Sequence, residues 1–350
     1  MNMDLVELTR TLIDIPSVSG EEDGVGRFLF NYLQSLGFKV ERQEIAPTRA
    51  NIIATAGAQP SRVMLSTHMD TVPPHIRSGE DEDFITGRGS CDAKGIIAAQ
   101  IFAARRLIEE GVEDVGLLFT VDEEQASLGA RALNSHELAR SCRYLINGEP
   151  TGNLLATGSK GSLRVRIHTE GRAAHSAYPE RGESAIEKLL DVLSDVRACE
   201  WPVEDFFGST TCNIGVIAGG TRTNVVPAEA QADLHFRLVT DSTVIKSMLE
   251  EIVRGRAVVE YLSVSDPVRM LALEGFEQCV VRFTTDITYL SNWGTPLLLG
   301  PGSIFDAHTE HERVSKRELK EAVELYVRMA RALLAKDSVS AACTGQYHLR

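Results

Sequence analysis

The sequence predicts an α/β protein in two parts. One is a discontinuous domain on a mixed, largely parallel sheet with helices on both faces; the other is an inserted, ferredoxin-like α+β unit. Three observations carry this. Short apolar runs alternate with helical patterns up to residue 159, a β-α-β-β-α-β order fills 160–271, and strand-then-helix character returns over 272–350. A self-contained unit set inside an α/β domain accounts for that return better than two domains in series.

The chain opens on an amphipathic pattern, with Leu5, Leu8, Leu12 and Ile13 at helical spacing. RVMLST (62–67), VGLLFTV (115–121) and YLI (144–146) read as strands. Between the first two, KGIIAAQIFAARRLIEEG suits a helix ended by Gly111. In the insert, GSLRVRIHTEG alternates as a half-exposed strand and SAIEKLLDVLSDVRA is an amphipathic helix. TCNIGVIAGG and AEAQADLHFRL follow as strands joined through TRTNVVP. DSTVIKSMLEEIVRG is a helix capped by Asp241, and AVVEYLSV is the last strand. Beyond 271, TPLLLGPG leads from a strand into a loop, and KRELKEAVELYVRMARALLAK is a helix. The polar stretch from Asp337 is expected to be a mobile tail.

With 350 residues, 43% hydrophobic and 24% charged, the chain is long enough for two cores. The net charge of −13, without a Lys/Arg-rich stripe, disfavours nucleic acid as a partner. No apolar run approaches the ~20 residues of a membrane span. The first residues lack the basic flank of a signal peptide, so a cytoplasmic location is expected. The six cysteines are scattered with no C-x-x-C pair, which argues for reduced thiols rather than a disulfide framework or a cysteine zinc finger.

The acids and histidines fall in a pattern. His68 and Asp70 follow RVMLST, Asp92 precedes the alanine-rich helix, and Glu123 and Glu124 follow VGLLFTV. Glu149 follows YLING, and His308 lies in the loop after LLLGPG. All lie past the carboxyl ends of strands, where open α/β sheets place their ligands. His68, Asp92, Glu124, Glu149 and His308 would suffice for two Zn²⁺ if Asp92 bridges them. Asp70 would then accept the ring N–H of His68, and Glu123, not itself a ligand, would be free to act as a base. Each residue alone has an ordinary explanation: a solvated His-Asp pair, a helix start at Glu123-Glu124, a helix cap at Asp92, a turn at Glu149, an exposed loop histidine. Their joint arrival at strand ends favours the metal site.

STHMDTVPP, GRGSCDAKG, TVDEEQASLGAR, NGEPT and GPGSIFDAHTEHE resemble, in order, the metal-site motifs of one zinc metallopeptidase family. Its members include acetylornithine deacetylase, succinyl-diaminopimelate desuccinylase, aminoacylase and glutamate carboxypeptidase. The resemblance covers nearly the whole chain. It implies two Zn²⁺ per subunit, with Co²⁺ or Mn²⁺ as alternatives: His68 and Glu149 on one, Glu124 and His308 on the other, Asp92 bridging through a cis Asp92–Ala93 bond. GRAAHSAYPERGESAI is similar to the family segment whose histidine, here His175, stabilises the oxyanion. GGTRTNVVP and Arg237 resemble the segments that hold a substrate carboxylate, through Asn224 and Arg237. The resemblance further implies a homodimer formed through the inserted units.

The family's frequent Asp two before the substrate-binding Arg is His235 here. The Trp and Pro-Phe of the deacetylase branch are missing between Asp70 and Asp92. The form G-E-P-T is nonetheless similar to that branch. The expectation is therefore a dinuclear zinc amidohydrolase that deacylates an N-acyl amino acid. The alternative is a metallopeptidase acting on di- or tripeptides or C-terminal residues. A metal-free descendant that only binds a small molecule is disfavoured by the complete ligand set.

Overall fold

The computed structural model describes residues 3–57 and 61–344, with side chains to residue 336. The chain divides into two compact units, one of Met1–Thr157, Met270–Cys279 and Thr285–Arg350, the other of Gly158–Arg269 and Val280–Thr284. The return segment 280–284 belongs with the insert rather than the α/β unit. Local hydrogen bonds explain this: Lys160 N–H donates to Val281 O (3.1 Å), and Ser159 Oγ donates to Phe283 O (2.7 Å).

In the α/β unit the strands lie in the order Lys39–Ala46, Arg49–Thr55, Val115–Thr120, Val63–His68, Tyr144–Asn147, Thr295–Leu298 and Leu155–Ser159. The middle ones, Val115–Thr120 through Thr295–Leu298, run parallel, and the outer pairings are antiparallel. Parallel strands are covered on both faces and so read as near-continuous apolar runs. Every residue of VGLLFT is buried, with successive side chains sent to opposite cores. Val115, Leu117 and Phe119 join the larger core, lined by Lys94–Glu109 and Lys316–Thr344, while Leu118 joins a smaller one around Trp293. Trp293 is fully buried, and its indole N–H donates to Leu133 O at 3.0 Å, which satisfies its one polar atom.

The helices begin and end where their residues dictate. Leu5–Asp14 is capped by Asp4, whose Oδ1 accepts from Glu7 N–H at 2.8 Å, and it buries Leu8, Leu12 and Ile13. Past the end of Lys94–Glu109, Gly111 takes a left-handed φ of 83° while its N–H donates to Ile108 O, a turn that favours glycine. The last helix, Lys316–Thr344, runs on through the stretch expected to be a mobile tail, and 345–350 lie outside the described residues. Among the described residues no helix is long and apolar enough to cross a membrane.

The inserted unit is a four-stranded antiparallel sheet in the order Thr211–Gly219, Glu229–Leu238, Gly161–Glu170, Val258–Ser265. Helices Ala185–Ala198 and Ser242–Val253 pack on one face over Leu163, Val165, Ile167, Leu234 and Phe236. Asp241 caps the second helix as expected, accepting from Thr243 N–H at 2.9 Å.

Candidate metal centre

The site is built at the carboxyl ends of the parallel strands in the α/β unit. His68 is the last residue of Val63–His68 and is almost fully buried. Its Nε2 lies 2.9 Å from Asp92 Oδ1, and its Nδ1 lies 3.0 Å from the backbone O of Asp70 and 3.6 Å from Asp70 Oδ1. Asp70 is held in turn. Ser19 Oγ donates to it at 2.7 Å, and the N–H groups of Glu123 and Glu124 donate to its two oxygens at 3.1 and 3.2 Å. The buried Asp70 thus orients both the imidazole of His68 and the loop that carries Glu123 and Glu124.

Asp92 does not cap the helix that follows it; Ala93 occupies the cap position without a side-chain bond. The Asp92–Ala93 bond is cis, as the family resemblance implies. The two oxygens of the Asp92 carboxylate face different histidines: Oδ1 faces His68, and Oδ2 lies 3.3 Å from Nε2 of His308. His308 Nε2 also lies 2.9 Å from Glu124 Oε1. Candidate ligand atoms of His68, Asp92 and Glu124 all fall within 4.8 Å of one another. Glu149 is buried beside them, with Oε1 accepting from Asn147 Nδ2 at 3.4 Å. Glu123 and Glu124 do not start a helix, which begins instead at Leu128.

Electrostatics sets this cluster apart. Burial, together with the Glu149 carboxylate, pushes Glu123 well above the usual carboxylate range; burial likewise raises Glu149. Burial would also raise Asp92, but hydrogen bonds from His308 and His68 outweigh it and hold Asp92 low. His308 is raised to about 10 by its bonds to Asp92 and Glu124. Among the described residues no lysine or arginine pairs with Asp92, Glu123, Glu124 or Glu149. Closely packed acids with two converging imidazoles and no organic cation fit a divalent-metal site of mixed nitrogen and oxygen donors.

The remaining site candidates lie in the inserted unit. His175 is exposed on the two-residue strand Ala174–His175, paired with Val225–Val226. Asn224 precedes that partner strand, and its backbone O accepts from Ser176 N–H at 3.0 Å, so the two candidates are neighbours. Ala177 N–H donates to His175 Nδ1 at 3.1 Å, which leaves the ring proton on Nε2. Arg237 stands on the face of the sheet not covered by helices, half-buried.

Several residues in the site's surroundings escaped the sequence reading. Glu312 and Arg88 form a buried pair behind Asp92. Asp286 accepts from Thr120 Oγ1 at 2.7 Å and is pushed up to about 6 by burial. Glu312 stands inside the quoted segment GPGSIFDAHTEHE, four residues after His308, and that spacing was the one available signal for it.

Comparison with known proteins agrees with the geometry. The sequence model of Peptidase family M20/M25/M40 matches residues 64–332. A peptidase M20 domain-containing protein of Schizosaccharomyces pombe is 38% identical over 335 residues, covering 93% of this chain and 84% of that one. A probable carboxypeptidase of Talaromyces marneffei is 35% identical over 397 residues, covering 96% and 87%. The fold matches the crystal structure of a tripeptidase from Staphylococcus aureus with a TM-score of 0.80 at 21% identity, over 93% of this chain and 98% of that one. Family match, near full-length relatives and the clustered acids and histidines together place this chain in peptidase family M20/M25/M40, as a hydrolase acting on peptide bonds.

Proposed function

We propose that the chain is a dinuclear metal carboxypeptidase that cleaves short peptides at their C-terminal residue. The observation that carries this reading is the Asp92 carboxylate, whose two oxygens face His68 and His308 as a bridging ligand's would. His68 and Glu149 would hold one cation, Glu124 and His308 the other. Zn²⁺ suits the donor set, with Co²⁺ or Mn²⁺ as alternatives. Bound there, two divalent cations supply Lewis acidity and bring the pKa of a water close to neutrality.

The rest falls to the chain's own groups. Glu123, on the same turn as Glu124 but bonded to neither histidine, takes a proton from the attacking water and returns it to the leaving amine. His175 donates from Nε2 to the developing oxyanion. Arg237 with Asn224 receives the peptide's terminal carboxylate. Arg237 has no ion-pair partner among the described residues. Two same-face rows along the sheet, Arg166 pairs bidentately with Asp233, at 2.7 and 2.9 Å. His235 stands two residues before Arg237, on the same face of the sheet. Its Nε2 lies 2.8 Å from Ser162 Oγ, and burial, with Arg237 and Arg164, pushes it down to about 4, so it stays neutral. A neutral neighbour leaves Arg237 free for a substrate carboxylate, to which a guanidinium can donate two parallel bonds.

The sequence alone put deacylation of an N-acyl amino acid first. Relatives named peptidase and carboxypeptidase over nearly the full chain support a peptide substrate instead. A screen of di- and tripeptides beside N-acetyl, N-succinyl and N-formyl amino acids tests this. Peptides are expected to be the better substrates, and exclusive turnover of N-acyl amino acids would reverse the reading. Arg237→Ala is expected to raise KM ~10–100-fold with little change in kcat, the signature of lost ground-state binding. His175→Ala is expected to lower kcat ~10²–10³-fold. Steady-state kinetics on one dipeptide separates the two.

We further propose a homodimer. The edge strand Thr211–Gly219 leaves Val216 and Ile217 more than half exposed, which suits pairing with a second copy across a two-fold axis.

A further inference from the structure

The loop that carries Asp92 and the loop that carries His308 are far apart in sequence, yet Asp92 must face both histidines at once. Glu312 joins them. Glu312 is 1% exposed, and its Oε1 accepts from three backbone N–H groups: Gly89 at 2.9 Å, Cys91 at 3.3 Å and Asp92 itself at 3.2 Å. Oε2 lies 2.7 Å from Arg88 Nη1. Arg88, 2% exposed, also donates to Thr309 O at 3.1 Å and to Pro74 O at 3.4 Å. The backbone closes the same connection, since Gly87 N–H donates to Glu312 O at 3.0 Å.

A buried carboxylate is stable only when its oxygens are occupied, and here both are. The arrangement does more than neutralise a charge. Three of the four backbone N–H groups of residues 89–92 converge on one oxygen, so the path of that segment follows the position of Glu312. Glu312 is in turn four residues from His308, on a loop whose His308 takes a left-handed φ of 63°. With its side chain about half exposed, His308 has little packing to hold it in place.

We infer that Glu312, locked by Arg88, is a positioning residue that sets the Asp92 carboxylate against His308 and so prearranges the two metal positions before any ion binds. The inference rests on the metal reading above. Partners that orient ligands typically alter metal affinity ~10–100-fold when removed. A pair that served only as a buried salt bridge would change unfolding and leave metal affinity alone.

The test uses the full chain stripped with chelator and titrated with Zn²⁺ by calorimetry. Glu312→Gln keeps the shape but turns an amide N–H₂ toward either Arg88 or the backbone donors. Arg88→Lys keeps the charge while losing the fork. The expected result is ~10–100-fold weaker binding of at least one Zn²⁺ in Glu312→Gln, and a smaller loss in Arg88→Lys. KM is expected to stay within a few-fold while kcat falls. Unchanged Zn²⁺ affinity in a folded Glu312→Gln would overturn the inference. If the variants do not fold, hydrogen exchange of the stripped wild type decides. The amides of Gly89, Cys91 and Asp92 are expected to be protected without metal, and exchange as fast as an open loop contradicts prearrangement. A wild-type chain that binds no Zn²⁺ overturns the metal reading and this inference together, whereas normal wild-type binding with an unaffected Glu312→Gln overturns only this one.

Discussion

Glu123→Gln is expected to bind as much metal as wild type and to turn over peptides ~10²–10⁴-fold more slowly, the range for loss of an acid–base group. The basis is the division of labour between adjacent glutamates. Glu124 reaches His308 Nε2 at 2.9 Å, whereas Glu123 makes no bond to either histidine. The backbone N–H of each donates to Asp70, so the turn that separates their side chains does not depend on the Glu123 carboxyl. Glutamine is close in size to glutamate and keeps the backbone bonds that place the turn, so the fold has little reason to change. Metal analysis beside single-turnover kinetics checks the prediction. Full metal with near-normal turnover would remove Glu123 from the mechanism, and metal loss would make it a ligand.

Asp92→Ala is expected to have the larger effect, with metal falling below one equivalent per chain and activity lost by ~10⁴-fold or more. Removing this side chain takes a partner from both imidazoles at once, since Oδ1 lies 2.9 Å from His68 Nε2 and Oδ2 lies 3.3 Å from His308 Nε2. Its backbone N–H still donates to Glu312, so the loop should persist. Asp92→Asn, which keeps the shape but halves the acceptor capacity, is expected to retain one cation better than the other. Elemental analysis of both variants after gel filtration checks this. Two equivalents in Asp92→Ala would exclude a bridging role.

Much of this architecture is legible in the chain because its signals are local. VGLLFTV and YLI are almost wholly apolar, and RVMLST has an apolar centre, since parallel strands are buried on both faces; the acids and His68 at their ends stand out against that background. The edge hairpin Lys39–Ala46 and Arg49–Thr55 was not legible. KVERQEIA is half-exposed and charged, and its register slips between Glu44 and Ala46, so it carries no clean alternation. The last helix runs past the polar DSVSAAC, where composition suggests a tail, because composition says little about where a long helix stops.

The same distinction runs through the candidate site. His68, Asp70, Glu123, Glu124, Glu149 and His308 announce themselves by position at or just past strand ends, and Asp92 by its place before the alanine-rich helix. The Glu312–Arg88 connection spans 224 residues, and most of its acceptor bonds go to backbone N–H groups, which no side-chain pattern reports. The peptide substrate could not be read from the ligand motifs either. Amide hydrolysis of a peptide and of an N-acyl amino acid asks the same of a metal site, and the difference lies in how the substrate's ends are held.

Paired divalent cations at these residues are proposed to carry peptide hydrolysis, and metal stoichiometry measured together with activity decides it. The full chain would be purified without added metal, stripped with chelator, and reconstituted stepwise with Zn²⁺ or Co²⁺ while bound metal and dipeptide hydrolysis are measured on the same samples. The stripped protein is expected to be inactive, activity to return on adding metal, and binding to saturate at two equivalents per chain. A stripped protein that hydrolyses peptides at its original rate, or one that binds well under one equivalent, would contradict the proposal.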